Sequence, residues 1–425
     1  MRLLVLGINY APEKTAVAPF TTGLCEHLSS EGHEVSVITA FPYYPEWKTW
    51  EGYRGHWFQD ERINNVAIRR VWHYVPNRAS KLLQRLAHDI SFTLSAFVAG
   101  LFASEFDAIY CASPPPTLAL TAYVLAKIHR KPYLIKLTDL ASEAALATGI
   151  LGEGILVRLA RAIERFVYRK AEIIVCLCQS FIEKLASCGI PREKLQLIPD
   201  WGDTQKIYPI LQPVAFRSAN GISSKQFLVM HTGNMGKKQD LMNVVRAAEL
   251  SQGTLNLLWV LVGTGEERPL IAGEIARRRL ANIRLLPLQP VEGLAEMYSA
   301  ADILLLNQKA AVKDAVIPSK LLTYMAAGRA VLAAVSEKSE AARQILNAQC
   351  GVQISAEDPL AMVEAVSQLR QDVAFRRKLG ANGRAYALLN FTKQRVLLEY
   401  DELFQRVSGE KTRGIEIPKK AAAAG

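Results

Sequence analysis

Two doubly wound α/β domains in tandem are the fold class this sequence predicts, on three observations. Short apolar runs alternate with helical stretches, the alternation starts afresh about midway, and a segment carrying proline, glycine and serine separates the two series. Such alternation builds parallel sheets covered by helices on both faces. In the first series the apolar runs are residues 3–6, 35–39, 108–111, 133–137 and 173–177, each too short for a helix. Helical patterns fall between them at 20–30, 118–129 and 155–169. The second series places strands at 227–231, 257–262, 283–286, 303–306 and 331–334.

Boundaries follow from the same pattern. A first domain spans 1–205, a linker 206–224 has no clear period, and a second domain spans 225–390. Residues 391–408 read as a C-terminal helix that packs back on the first domain, with Val396, Leu397, Tyr400, Leu403 and Phe404 at helical spacing, and 409–425 as a tail. Residues 41–76 break the alternation and are rich in Trp, Tyr and Pro, which suits a long ordered loop with short strands.

Half of the residues are hydrophobic and 21% are charged, a globular composition. Basic residues outnumber acidic ones 22 to 20 up to residue 205 and 29 to 20 beyond it, so most of the net charge of +11 lies in the second part. That bias suits anionic ligands or an anionic membrane surface, and equally a basic protein without either. Six cysteines are too few for a disulfide scaffold; Cys176 and Cys178 read as buried thiols rather than half of a metal site. The apolar run at 3–6 is a first strand, not a signal peptide, and no stretch of 18 apolar residues occurs. A soluble, cytoplasmic protein is expected, with room for a peripheral contact with the inner face of the cytoplasmic membrane. Residues 90–106, preceded by Lys81 and Arg85, could supply that contact or form a core helix. Arg158, Arg161, Arg165 and Arg169 share one helix side, either solvated or facing anionic lipid. Neither a Ser-His-Asp order, an H-E-x-x-H motif nor an RNA-binding signature is present, which counts against hydrolases, metalloenzymes and nucleic-acid readers.

Doubly wound sheets bind ligands beyond the carboxyl ends of their strands, so the residues just after each strand carry the functional question. Gly233-Asn234-Met235-Gly236-Lys237-Lys238 follows the first strand of the second series. Glycines bring backbone N–H groups close to a ligand and the lysines add charge, so the stretch is either a phosphate seat or a plain strand-to-helix turn. Its spacing fits neither a Walker loop nor a dinucleotide fingerprint. In 315–335, Pro318 and Ser319 start a helix, with Ser319 the expected N-cap and Gly328 the stop. Lys320 then stands in the first turn, where the helix dipole disfavours a cation unless an anion sits there. Gly263 and Gly265, in GTGEE after residues 257–262, permit close backbone approach to a ligand. Asp139 follows the fourth strand of the first domain, where a carboxylate binds hydroxyls, orients a reacting group or caps a helix.

With these residues in place the chain resembles the GT-B glycosyltransferases of family 4, and within them a bacterial exopolysaccharide group. The resemblance rests on INYAPEKTA, GHEVSVITAFPYYP, DLASE, YRKAEIIVCLCQSF, LIPDWGD, HTGNMGKKQDL, LVGTGEE, YSAADILLL and IPSKLLTYMAAGRAVLAAV, and covers nearly the whole chain. It implies an acceptor-binding first domain, a nucleotide-sugar-binding second domain and a central cleft. The activity implied is transfer of a sugar, with retention, from a nucleotide sugar, usually a UDP-sugar. Acceptors in the group are glycans or polyprenyl-diphosphate-linked saccharides; neither a metal nor another cofactor, and no nucleic acid, is implied. Lys238 resembles the lysine on the donor diphosphate, while Asn234 stands where many members have an arginine. Gly233, Gly236, Gly263, Gly265, Pro318, Ser319 and Lys320 line the implied donor site, with Leu288 near the base. The resemblance also implies that Asp139 faces the transferred sugar or the acceptor hydroxyl, with Asn9, Glu13, Lys14 and Glu143 on the acceptor side. Two glutamates of the family, eight apart, correspond to Ala315 and Thr323 here, leaving Asp314 or Glu340 as candidate substitutes. A non-hydrolysing nucleotide-sugar epimerase and a catalytically silent nucleotide-sugar-binding subunit are the alternatives.

Overall fold

In the computed structural model, which describes residues 1–76, 82–138, 155–312 and 318–409, the chain divides into two compact units. One comprises Met1–Pro199 with the last helix from Leu397 onward, and the other Asp200–Val396. The first is built on an eight-stranded sheet: β1 Arg2–Gly7, β2 Glu34–Ala40, β3 Phe58–Ile63, β4 Val66–Val71, β5 Ala108–Ser113, β6 Tyr133–Leu137, β7 Ile173–Cys176 and β8 Leu195–Leu197, in the order β3-β4-β2-β1-β5-β6-β7-β8. Every pairing is parallel except β3 with β4. Central strands are apolar throughout because both of their faces are covered; β1 buries Leu3 to Gly7 and β5 all six of its residues. The aromatic stretch 41–76 supplies β3 and β4, which extend this sheet at one edge.

The second unit holds six parallel strands: β9 Phe227–Thr232, β10 Leu257–Val262, β11 Ile283–Leu286, β12 Ile303–Asn307, β13 Ala330–Ala334 and β14 Gly351–Ile354, in the order β11-β10-β9-β12-β13-β14. Two apolar clusters sandwich it, one around Leu228, Met230, Tyr324 and Val331, the other around Val229, Trp259, Leu305 and Met362. β8 and β14 are short and only partly buried, so neither shows an apolar run in the sequence. The 206–224 stretch, read as a linker without clear period, contains the helix Val214–Ala219, and Phe216 and Ile222 anchor it in the core.

The last helix, Lys393–Ser408, packs within the first unit through its far end. Tyr110 donates to Tyr400 at 3.1 Å, Asp401 meets His27 at 2.9 Å, and Arg406 donates to Gln196 at 2.9 Å. The helix Leu82–Leu101 buries Phe92, Ala96 and Ala99 on one side. Its opposite side is also apolar: Leu83 is 80% exposed, Leu94 59% and Phe102, just past its end, 75%, with Leu86, Ile90 and Val98 exposed between them. No helix among the described residues is long and apolar enough to cross a membrane.

Candidate functional site

Three loops meet beyond the carboxyl ends of β9, β10 and β12. The first begins at Gly233, whose φ of +102° carries the chain sharply away from β9. Its N–H donates to the Val262 carbonyl at 2.8 Å, and the Met235 N–H donates to Thr264 at 2.8 Å. The GTG loop is thus laid directly on the GNMG loop. A Cβ on Gly263 would run into the Gly233 carbonyl, and one on Gly265 into the Met235 backbone. These two glycines therefore serve backbone-to-backbone packing, where the sequence suggested close approach to a ligand. Gly263 also donates to the Leu286 carbonyl at 3.0 Å, which draws in the loop bearing the exposed Leu288.

Beyond the first loop, Lys237–Gln239 forms a 3₁₀ turn. A fully buried asparagine that the sequence reading passed over, Asn307 at the end of β12, pins it: Asn307 Nδ2 donates to the Gln239 carbonyl at 2.7 Å and to the Asp240 carbonyl at 2.9 Å. Asn243 Nδ2 in turn donates to Asn307 Oδ1 at 3.1 Å. A polar residue closing the apolar run ILLLN was the available signal. On this turn Lys238 is half-buried and Lys237 exposed, and Asn234 is exposed on the loop before it. Gly236 faces inward, with its N–H donating to Gln239 at 3.2 Å.

The helix Ser319–Ala326 completes the arrangement. Its N-cap is Pro318, extended at φ −75° and ψ 100°; Ser319, expected to cap, is instead the first helical residue and makes no capping bond. Proline already supplies the extended backbone needed at that position. The helix is fastened beneath the sheet by the buried Tyr324, whose hydroxyl accepts from the Thr232 N–H at 3.1 Å. Lys320 turns inward and lies over Gly233, where a Cβ would stand 3.0 Å from Lys320 Cε. Glycine at 233 leaves room for this lysine.

Lys320 Nζ is 3.0 Å from Nε2 of His231, which is completely buried. Because His231 Nδ1 bonds to the Leu305 carbonyl at 3.1 Å, that nitrogen carries the proton and Nε2 accepts from the ammonium. Burial, then the neighbouring ammonium, hold the His231 pKa far below its ordinary value, so the imidazole is neutral. Burial lowers the Lys320 pKa to about 8, and among the described residues no carboxylate pairs with it. A desolvated cation with only a neutral partner, in the first turn of a helix and over the Gly233 loop, is arranged to receive an anion.

The remaining expected residues fall elsewhere. Thr323 is one turn along and bonds back to the Ser319 carbonyl at 3.5 Å. Glu340, 4% exposed, heads the helix Glu340–Ala348 after β13, and its carboxylate accepts from Gln344 at 3.2 Å. In the first unit Glu13 is buried rather than open to a substrate. It accepts from Asn9 at 2.9 Å and from the Tyr43 and Tyr44 N–H groups at 2.8 Å each, tying the β1 loop to the aromatic stretch. Lys14 is exposed beside it. Asp139, Glu143, Asp314 and Ala315 lie outside the described residues.

Comparison with known proteins settles the class. Residues 15–201 match the glycosyl transferase 4-like domain and residues 215–386 the glycosyl transferases group 1 family. The chain belongs to the glycosyltransferases of the GT-B fold. It is 29% identical over 407 residues, 94% of this chain and 98% of the other, to WcaI of Escherichia coli K12, named for glycosyl transfer in colanic acid biosynthesis. In fold it is similar to sucrose-phosphate synthase from Thermosynechococcus elongatus, with a TM-score of 0.75, 16% identity, and 96% and 99% of the two chains covered. It is also similar to Anabaena HepE, solved with UDP, with a TM-score of 0.71, 15% identity, and 96% and 100% covered.

Proposed function

We propose that this glycosyltransferase moves a sugar, with retention at the anomeric carbon, from a UDP-sugar to a glycan or polyprenyl-diphosphate-linked saccharide in surface polysaccharide biosynthesis. The observation that carries the reading is the Lys320 ammonium, desolvated over Gly233 at the head of a helix. Further support comes from HepE, which was solved with UDP and with UDP-glucose, and from the biosynthetic name of WcaI. As the sugar–phosphate bond breaks, negative charge grows on the diphosphate. Lys320, Lys238 and the first N–H groups of the Ser319–Ala326 helix stabilise it without reorganising. Resemblance assigns Asp139 to the transferred sugar or the acceptor hydroxyl, and the leaving phosphate takes the proton of that hydroxyl as the new bond forms on the same face. This chemistry uses no metal. The test is the anomeric configuration of the product by NMR with chelator present. Retention with full activity is expected, and inversion or loss of activity overturns the reading. UDP released only when acceptor is present separates transfer from epimerisation and from a silent binding subunit.

The acceptor's lipid gives the exposed apolar side of Leu82–Leu101 a role: it rests on the cytoplasmic membrane face. Leu83, Leu86, Ile90, Leu94 and Val98 recur at helical spacing, too many on one side for scattered surface residues. Vesicle co-sedimentation that survives in Leu94→Glu/Val98→Glu would rule out this contact.

A further inference from the structure

A cavity of about 570 Å³ opens in the second unit at the other end of the sheet from the Gly233 loop. Asp302 precedes β12 and Arg329 precedes β13, so it lies at the amino ends of these strands. The five residues of β12 separate the two ends by about 16 Å at roughly 3.3 Å per residue. Arg329, Arg376, Arg377 and Arg384 line the cavity, and Asp302 is the one carboxylate among its lining residues.

That carboxylate is already committed. Asp302 Oδ2 accepts from Arg217 at 3.0 Å and from the Leu228 N–H at 2.9 Å, and Oδ1 stands 3.9 Å from Arg376. Arg384 is spent on structure, donating to the carbonyls of Ile207, Ala326 and Thr204 at 2.9, 2.8 and 3.1 Å. Arg376 is fastened likewise, donating to the Leu369 and Arg370 carbonyls at 2.6 and 3.3 Å and lying over the Phe227 ring. Fastening the chain in this way does not account for Arg329 and Arg377. Arg329 Nη2 reaches the Ile210 carbonyl at 3.3 Å, but its Nε–H is buried with no acceptor among the described residues. Arg377 is exposed and makes no hydrogen bond or ion pair among the described residues. Carbonyl partners satisfy donors without neutralising charge, so several guanidinium groups are held together at reduced solvation. The pKa of Arg329 falls mainly through burial; Asp302 pulls it back up, and Arg217, Arg376 and Arg377 push it down further.

We propose that this cavity is a second anion site, separate from the Gly233 loop, taking a ligand that carries a phosphate or diphosphate. Guanidinium forks match phosphate oxygens, and clustered arginines lose their mutual repulsion only when an anion enters. The volume falls in the range of small-molecule sites, and Leu388 adds an apolar wall, so room remains beside the phosphate for an apolar portion. The site stands whether or not UDP is the donor.

Isothermal titration with inorganic pyrophosphate tests it in a Lys320→Met background, where the Gly233 seat is disabled. Binding is expected to persist there, to weaken about tenfold or more on adding Arg377→Glu or Arg329→Gln, and to fall with salt. Arg377 is exposed, so its variant folds, which a thermal unfolding scan checks. A second arm measures sedimentation of the same variants with phosphatidylglycerol and phosphatidylcholine vesicles. Loss in the pyrophosphate arm supports a free phosphate ligand, and loss with anionic vesicles alone supports a lipid headgroup. The proposal is overturned if neither variant changes either arm, or if Lys320→Met by itself abolishes pyrophosphate binding and the variants leave vesicle binding intact.

Discussion

Lys320 sets stability against function at a single residue. Its pKa of about 8 lies below the ordinary 10.5, so between these values the folded chain binds fewer protons than the unfolded one. Stability should therefore rise with pH across that window. Affinity for UDP should move the other way, because the cation proposed to meet the diphosphate is lost above pH 8. Calorimetric titration of UDP from pH 7 to 9.5, paired with unfolding scans, checks both directions. Lys320→Met removes the charge outright: UDP should bind about 10- to 100-fold more weakly, as for a hydrogen bond to a charged group, with no fall in melting temperature. Gly263→Ala acts through the backbone. Its methyl would meet the Gly233 carbonyl, and overpacking of this kind costs about 1–3 kcal/mol, read as a lowered melting temperature.

At the scale of elements, the site is a set of loops made rigid by what lies under them. Asn307 holds the Lys237–Gln239 turn by two side-chain bonds, and Tyr324 holds the Ser319–Ala326 helix against β9. Asn307→Ala would leave the Gln239 and Asp240 carbonyls and Asn243 without their partner. The expected cost is about 2–3 kcal/mol in stability, with weaker UDP binding through the loosened Lys237–Gln239 turn. An Asn307→Ala protein with unchanged UDP affinity would show that the turn does not need this support.

Across the whole molecule, the division into two compact units makes one unfolding free energy an inadequate description. UDP bound to the second unit should raise only the transition belonging to that unit. At about 100 times its dissociation constant the added stability is about 2.7 kcal/mol. Differential scanning calorimetry with and without UDP reads this directly, and an equal shift of both transitions would place the nucleotide otherwise.

The apolar strands of both sheets and the loops worth inspecting were legible in the sequence, because a buried parallel strand must be apolar throughout and ligands gather beyond its carboxyl end; the short, partly buried β8 and β14 were not. GNMGKK, GTG and PSK were recognisable there as candidates on local chemistry and on resemblance. Tertiary structure alone decided that Gly263 and Gly265 make room for another loop's backbone, and that Glu13 is consumed within its own domain. It also decided that His231, inside an apolar run, is the partner of a lysine 89 residues away. Periodicity reports which face of an element is buried. Which distant residue meets that face depends on the order and register of the strands, and no local pattern carries that information.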